Sequence, residues 1–141
     1  MTRISINLQR LHHNLNVIRT WVRDHGASMT VVTKVLCGHG DTLRALGLMG
    51  IRSVGDSRLA NLAAVRNALP DAETWYLRPP HLSAIDQVVA LSSISLNSES
   101  ETIEALGLEA QRQGKTHKLI IMIELGDLRE GILPGSLIKF Y

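Results

Sequence analysis

Apolar residues recur along the chain in five short runs, about 20 to 30 residues apart, and the stretches between them carry helical periodicity. Arg3 to Leu8 alternates polar and apolar residues, which predicts a half-buried strand. Leu8, Leu11, Leu15, Ile18 and Val22 then repeat at helical spacing, and Asp24-His25-Gly26 ends the pattern with a glycine suited to a C-cap. Met29 to Thr33 reads as the next strand, followed by a Gly38-His39-Gly40 loop and a helix from about Asp41 to Met49 that Gly50 can end. The unit then repeats. Ile51 to Gly55 is a strand, Asp56-Ser57 an N-cap signal, and Leu59, Leu62, Ala63 and Leu69 face one side of a helix ended by Pro70. Thr74 to Leu77 is a third strand, stopped by Arg78-Pro79-Pro80, since two prolines cannot continue a central strand. Ile85, Val88, Val89 and Leu91 mark a helix, and Ile94 to Leu96 a fourth strand. Asn97-Ser98 precedes a helix in which Glu101 stands where a capping box needs it and Gly114 closes the end. Leu119 to Leu125 is the fifth and most apolar strand, as expected of one covered on both faces.

Strands separated by helical crossovers, with no hairpin turn between neighbours, call for a parallel sheet with helices outside. The fold class is α/β. A flavodoxin-like open sheet and part of a TIM barrel both satisfy the pattern, and both put chemistry at the carboxyl ends of the strands. Those ends read Lys34, Asp56, Arg78, Asn97 and Glu124-Leu125-Gly126-Asp127-Leu128-Arg129. Each is polar, as a functional rim requires, though solubility alone also makes strand ends polar.

Lys34 stands out among them. A lysine closing a β-branched strand sits where burial can depress its pKa, leaving a neutral amine able to attack a carbonyl such as an aldehyde cofactor. The plain alternative is a solvated lysine just past a strand.

Composition narrows the partners. With 141 residues, 45% hydrophobic and 20% charged, the chain has the balance of one globular domain. Its fifteen basic residues are scattered among thirteen acidic ones for a net charge of +2, so no basic stripe or aromatic platform argues for nucleic acid. The N-terminus turns polar too soon for a signal peptide, no run of about 18 apolar residues offers a membrane span, and a single cysteine, Cys37, makes no internal disulfide. These features predict a cytoplasmic protein with no membrane partner.

Ile4-Ser5-Ile6-Asn7-Leu8, Leu11-His12-His13-Asn14-Leu15, Ile18-Arg19 and Val31-Val32-Thr33-Lys34-Val35-Leu36-Cys37-Gly38-His39-Gly40 together resemble the start of the alanine racemase family. These are pyridoxal-phosphate enzymes of fold type III, whose first barrel strand ends in the cofactor lysine within a V-V-K-A-N-A-Y-G-H-G pattern. Gly55-Asp56-Ser57-Arg58-Leu59-Ala60-Asn61-Leu62, Ile94-Ser95-Leu96-Asn97-Ser98-Glu99 and Gly126-Asp127-Leu128-Arg129-Glu130-Gly131 look like the subgroup that includes ornithine racemase. The resemblance covers essentially the whole chain.

It implies that Lys34 forms the Schiff base with pyridoxal 5'-phosphate and then serves in α-proton transfer. It implies that Arg129 donates to the cofactor's phenolic oxygen, the alternative being an arginine in a surface loop. Arg78, where the family has a small residue, is a candidate for a substrate carboxylate, or for an ion pair with Asp56 or Glu124. Cys37 stands about where the family has tyrosine, and Met122 about where it has a carboxylated lysine on the fifth strand. Cys37 with His39 supplies two candidate ligands, too few for a tetrahedral metal site.

A complete (β/α)8 barrel needs about 250 residues. Residues 1–141 therefore read as the amino-terminal part of a pyridoxal-phosphate-binding barrel: a fragment, a truncated product, or a chain completed by a partner. The implied function is an amino-acid racemase acting on a small-molecule amino acid, with this chain alone inactive and prone to homodimerisation or other self-association. The alternative is a non-catalytic pyridoxal-phosphate-binding protein of the homeostasis type, or an inactive fragment.

Overall fold

The computed structural model describes residues 5–140, the side chain of Lys139 excepted. Five strands, β1 (Val31–Val32), β2 (Ser53–Asp56), β3 (Glu73–Tyr76), β4 (Ile94–Asn97) and β5 (Lys118–Ile121), form one sheet in the order β1-β2-β3-β4-β5. Every pairing is parallel. Strands added strictly in chain order make the arc of a TIM barrel and exclude the flavodoxin alternative, whose order doubles back. Helices α1 (Leu8–Asp24), α2 (Gly40–Leu48), α3 (Leu59–Ala68), α4 (Ile85–Leu91), α5 (Ser100–Arg112) and α6 (Leu137–Phe140) complete the described elements. No described helix is long and apolar enough to cross a membrane.

The hydrophobic core lies on one side of the sheet. Leu43, Leu46, Val54, Val65 and Leu69 form a cluster under α2 and α3, with Val31 packed against it. Leu62, Tyr76, Val88, Val89 and Leu106 form a second under α3, α4 and α5. Successive strand residues point to opposite faces, and the register runs Val32, Gly55, Trp75, Ile94, Lys118 across the other face. In a closed barrel this second face is the interior. Here it is open at its β1 edge, where Val32 is 49% exposed, while Ile94 on β4 is 4% exposed.

Several sequence expectations are corrected. Residues 1–4 of the expected first strand lie outside the described residues, and Ser5 to Asn7 form no strand. Asn7 instead caps α1, accepting from the Arg10 N–H at 2.9 Å; such a cap contributes about 1 kcal/mol, which favours starting the helix at Leu8. Strand β1 keeps only two of the five residues expected. Neither expected N-cap acts as one: α3 begins after Arg58 and α5 after Glu99, both without a side-chain cap, so the Ser98 and Glu101 capping box is not formed.

Strand β5 is not covered on both faces. Leu119 and Ile121, on the helix side, are 39% and 36% exposed because no described helix packs over them. Beyond Ile121 the strand direction continues in single contacts: Met122 N–H donates to Asn97 O at 2.8 Å, and Ile123 bridges Ile132 in parallel. Ile132 thus covers the far end of this edge and leaves Lys118–Ile121 open.

A buried polar knot joins β4 to the start of β5. His117 Nε2 lies 2.9 Å from Ser95 Oγ, its Nδ1 3.2 Å from Ser92 O, and Asn97 Nδ2 donates to Ser95 O at 2.9 Å. Burial lowers the His117 pKa below its usual 6.5, with the Ser92 carbonyl opposing the shift. A depressed imidazole pKa means that the folded state binds fewer protons than the unfolded chain. Stability is therefore complete above the unfolded value and declines as pH falls from it toward the folded value. Urea midpoints should drop as pH is lowered from about 7 to about 5, and His117→Gln should remove the part of that drop due to this group. A pH profile identical in the variant would contradict the assignment.

Candidate active site

Lys34 follows β1 and opens a single 3-10 turn, Lys34–Leu36. Ties from the next strand hold its base. Thr33 N–H donates to Gly55 O at 2.9 Å and Thr33 Oγ1 to Asp56 Oδ2 at 3.1 Å. Asp56 is fully buried and also accepts from Arg58 N–H at 3.0 Å and Asn61 Nδ2 at 3.1 Å. One carboxylate thus joins the ends of β1 and β2 to the first turn of α3. After the turn, the chain passes through two left-handed residues, Cys37 (φ 47°) and Gly38 (φ 74°). A Cβ on Gly38 would stand 3.1 Å from the Ala64 Cβ, so glycine both supplies the backbone conformation and lets this loop lie against α3. His39 then caps α2, its Nδ1 accepting from Thr42 N–H at 3.4 Å and lying 2.9 Å from Thr42 Oγ1.

Alternation along β1 puts Val31 on the helix side and Val32 on the opposite, barrel-interior side. Lys34 lies in the 3-10 turn beyond the strand and is exposed rather than buried. Four lysines occur in the sequence: Lys34, Lys115, Lys118 and Lys139. Lys118 Nζ is paired with Glu73 Oε1 at 2.9 Å and Lys115 Nζ donates to Ala90 O at 3.3 Å. The Lys118 hydrogen bond holds the Glu73 carboxyl below its usual range. Lys34 makes no ion pair among the described residues.

Arg129 lies beyond the other edge of the sheet, in the loop after β5, at the same carboxyl end. Its side chain is exposed and pairs with no described carboxylate, while its backbone N–H donates to Glu124 Oε2 at 3.2 Å. Glu124, 9% exposed, also accepts from Gly126 N–H. Those backbone donors, Gly126 first and then Leu128, hold the Glu124 carboxyl below its usual range against the opposing effect of burial. The residue types of this loop were legible in the sequence; the wrapping of its backbone around Glu124 was not.

Arg78 ends β3 exposed and pairs with neither Asp56 nor Glu124, whose oxygens are taken by the donors just named. It opens instead on a crevice shared with Tyr76, His81, Glu99 and Thr102. Burial raises the Tyr76 phenol pKa and the Arg78 charge opposes that shift. Tyr76 belongs to the helix side of the sheet, so this crevice borders the rim and the barrel-interior face does not line it.

Residues 6–141 match the alanine racemase N-terminal domain family. The ornithine racemase of Acetoanaerobium sticklandii is 32% identical over 137 residues, which cover 97% of this chain and 38% of that protein. Among solved structures, an alanine racemase of Clostridium difficile 630 superposes with a TM-score of 0.81 at 18% identity, over 96% of this chain and 37% of the other. An alanine racemase of Bartonella henselae with covalently bound pyridoxal phosphate gives 0.77 at 19% identity, over 95% and 38%. The chain thus spans less than two fifths of the length of these relatives, and it belongs to the alanine racemase N-terminal domain family.

Proposed function

We propose that residues 1–141 are the amino-terminal, lysine-bearing part of a pyridoxal-phosphate-dependent amino-acid racemase, acting in the cytoplasm. The observation that carries this reading is Lys34: an exposed amine with no ion pair among the described residues, at the carboxyl end of the first barrel strand, in a family whose relatives include an ornithine racemase and a structure with covalently bound pyridoxal phosphate. The donor set suits that cofactor, an amine for its aldehyde and a guanidinium for an anionic oxygen.

When bound, the cofactor supplies an electron sink that acidifies the proton on the amino acid's α-carbon. The chain's own residues do the rest. Lys34 Nζ carries the cofactor and, once released from it, takes or returns the α-proton as a general base or acid. The Thr33 and Asp56 ties fix the stem from which that amine swings. Arg129, beyond the opposite edge of the sheet at the same carboxyl end, would donate to an anionic oxygen of the cofactor. Arg78, exposed at the rim of the same carboxyl end, would be the group to meet the carboxylate of the amino acid. Efficient proton transfer requires a site shielded from water. With the interior face open, turnover is assigned to the whole protein, and this chain alone should bind the cofactor without appreciable racemisation. The test is a titration with pyridoxal phosphate followed by absorbance: a saturable change at one equivalent supports the reading, and its absence overturns it.

The outer edge of β5 bears on assembly. Leu119 and Ile121 present an exposed apolar strip on the helix side of β5, beside an edge that no described strand pairs, which favours pairing with another copy. Light scattering over a concentration series should give a mass that rises above 15.5 kDa. A constant monomer mass would mean that the Ile132 contact protects the edge well enough.

A further inference from the structure

We propose that Glu124 is a positioning residue whose carboxylate presents the Arg129 guanidinium to the bound cofactor. This rests on the proposed cofactor reading and goes beyond it, since Glu124 touches neither substrate nor cofactor. The loop it organises is closed at its base. Ile132 N–H donates to Met122 O at 2.8 Å and Glu124 N–H to Ile132 O at 2.9 Å, so residues 125–131 leave and return at one point. A loop of this size with joined ends needs an internal core to hold one shape. Its apolar side chains do not provide one, as Leu125 and Leu128 are 86% and 85% exposed. The Glu124 carboxylate does: Oε1 accepts from Gly126 N–H and Oε2 from Arg129 N–H at 3.2 Å.

The backbone bends to make this possible. Gly126 (φ 125°), Leu128 (φ 53°) and Gly131 (φ 128°) all take positive φ, and a Cβ on Gly131 would come within 2.7 Å of Glu124 N. A leucine in the left-handed region is strained, and the strain persists because both carboxylate oxygens are matched to backbone donors. Arg129 is therefore anchored through its backbone while its side chain pairs with no described carboxylate, the arrangement expected of a residue whose partner is not part of the loop.

The experiment compares wild type, Glu124→Gln, Arg129→Ala and the double variant as full chains. Amide exchange without cofactor is read first. Glu124→Gln turns one acceptor into an NH2 facing an N–H donor, so the Gly126 and Arg129 amides should exchange about tenfold faster or more while Arg129→Ala leaves Gly126 protected. Cofactor affinity and the pH midpoint of the cofactor absorbance are read next. Glu124→Gln should weaken binding about tenfold, shift the midpoint in the same direction as Arg129→Ala, and add less than about twofold to the effect of Arg129→Ala in the double variant. Unchanged amide exchange in Glu124→Gln, or losses that multiply in the double variant, would overturn the proposal while leaving the assignment of Lys34 intact. A wild-type chain that takes no cofactor at Lys34 would overturn the proposed function, and this positioning role with it.

Discussion

Replacing Asp56 with alanine is expected to destabilise the fold by about 3 kcal/mol, because it strands donors that the fully buried carboxylate now satisfies. Thr33 Oγ1, Arg58 N–H and Asn61 Nδ2 all point at Asp56. The loss is a large share of the 5–15 kcal/mol typical of a whole domain. Urea unfolding followed by circular dichroism reads the change, and Asp56→Asn should cost less, because its carbonyl keeps one acceptor while its amide opposes a donor. Thr33 directly precedes Lys34, so Asp56→Asn should also weaken cofactor binding in the folded chain. A Asp56→Ala variant within about 0.5 kcal/mol of wild type, the range of ordinary surface substitutions, would mean that the knot between β1, β2 and α3 is dispensable.

Replacing Lys34 with alanine is expected to abolish the saturable absorbance change on titration with pyridoxal phosphate, with little effect on stability. The two halves of this expectation have one origin. Lys34 is exposed and forms no ion pair with the described residues, so its side chain contributes little to the fold. The amine is nevertheless the group that bonds to the cofactor. Restoration of the titration at another lysine, with unchanged affinity, would remove the basis for assigning Lys34.

The order of elements was legible because each strand interrupts helical periodicity with a short apolar run: Ile51 through Gly55, Thr74 through Leu77 and Ile94 through Leu96 all fall on or beside observed strands. Strand ends were less so. Arg3 to Leu8 alternates like a strand, but a local bond from Arg10 N–H to the Asn7 side chain starts a helix there, and periodicity carries no information about that competition. Leu119 to Leu125 reads as a doubly covered strand because its composition is that of one. Its exposure depends on what packs against it, which composition does not record.

At the site, residue types were readable and their connections were not. Lys34, Arg78 and Arg129 stand at or beyond strand ends as expected, yet Arg78 forms neither of the ion pairs its position suggests, with Asp56 or Glu124. In the sequence Asp56 reads as an N-cap signal and Glu124 as a strand end. Both prove to be hubs, and a hub is defined by donors that only the fold brings together: Thr33 and Asn61 for Asp56, the Gly126 and Arg129 amides for Glu124. The glycines at 126 and 131, flanking a charged loop after a strand, were the one local signal of the second hub.

The central claim is that Lys34 carries the cofactor, and the most direct measurement is chemical. The full chain is mixed with one equivalent of pyridoxal phosphate, reduced with borohydride to fix the bond, digested and mapped by mass spectrometry. A single stoichiometric pyridoxyl adduct is expected, on Lys34. An adduct spread over Lys115, Lys118 and Lys139, or one that leaves Lys34 unmodified, would contradict it.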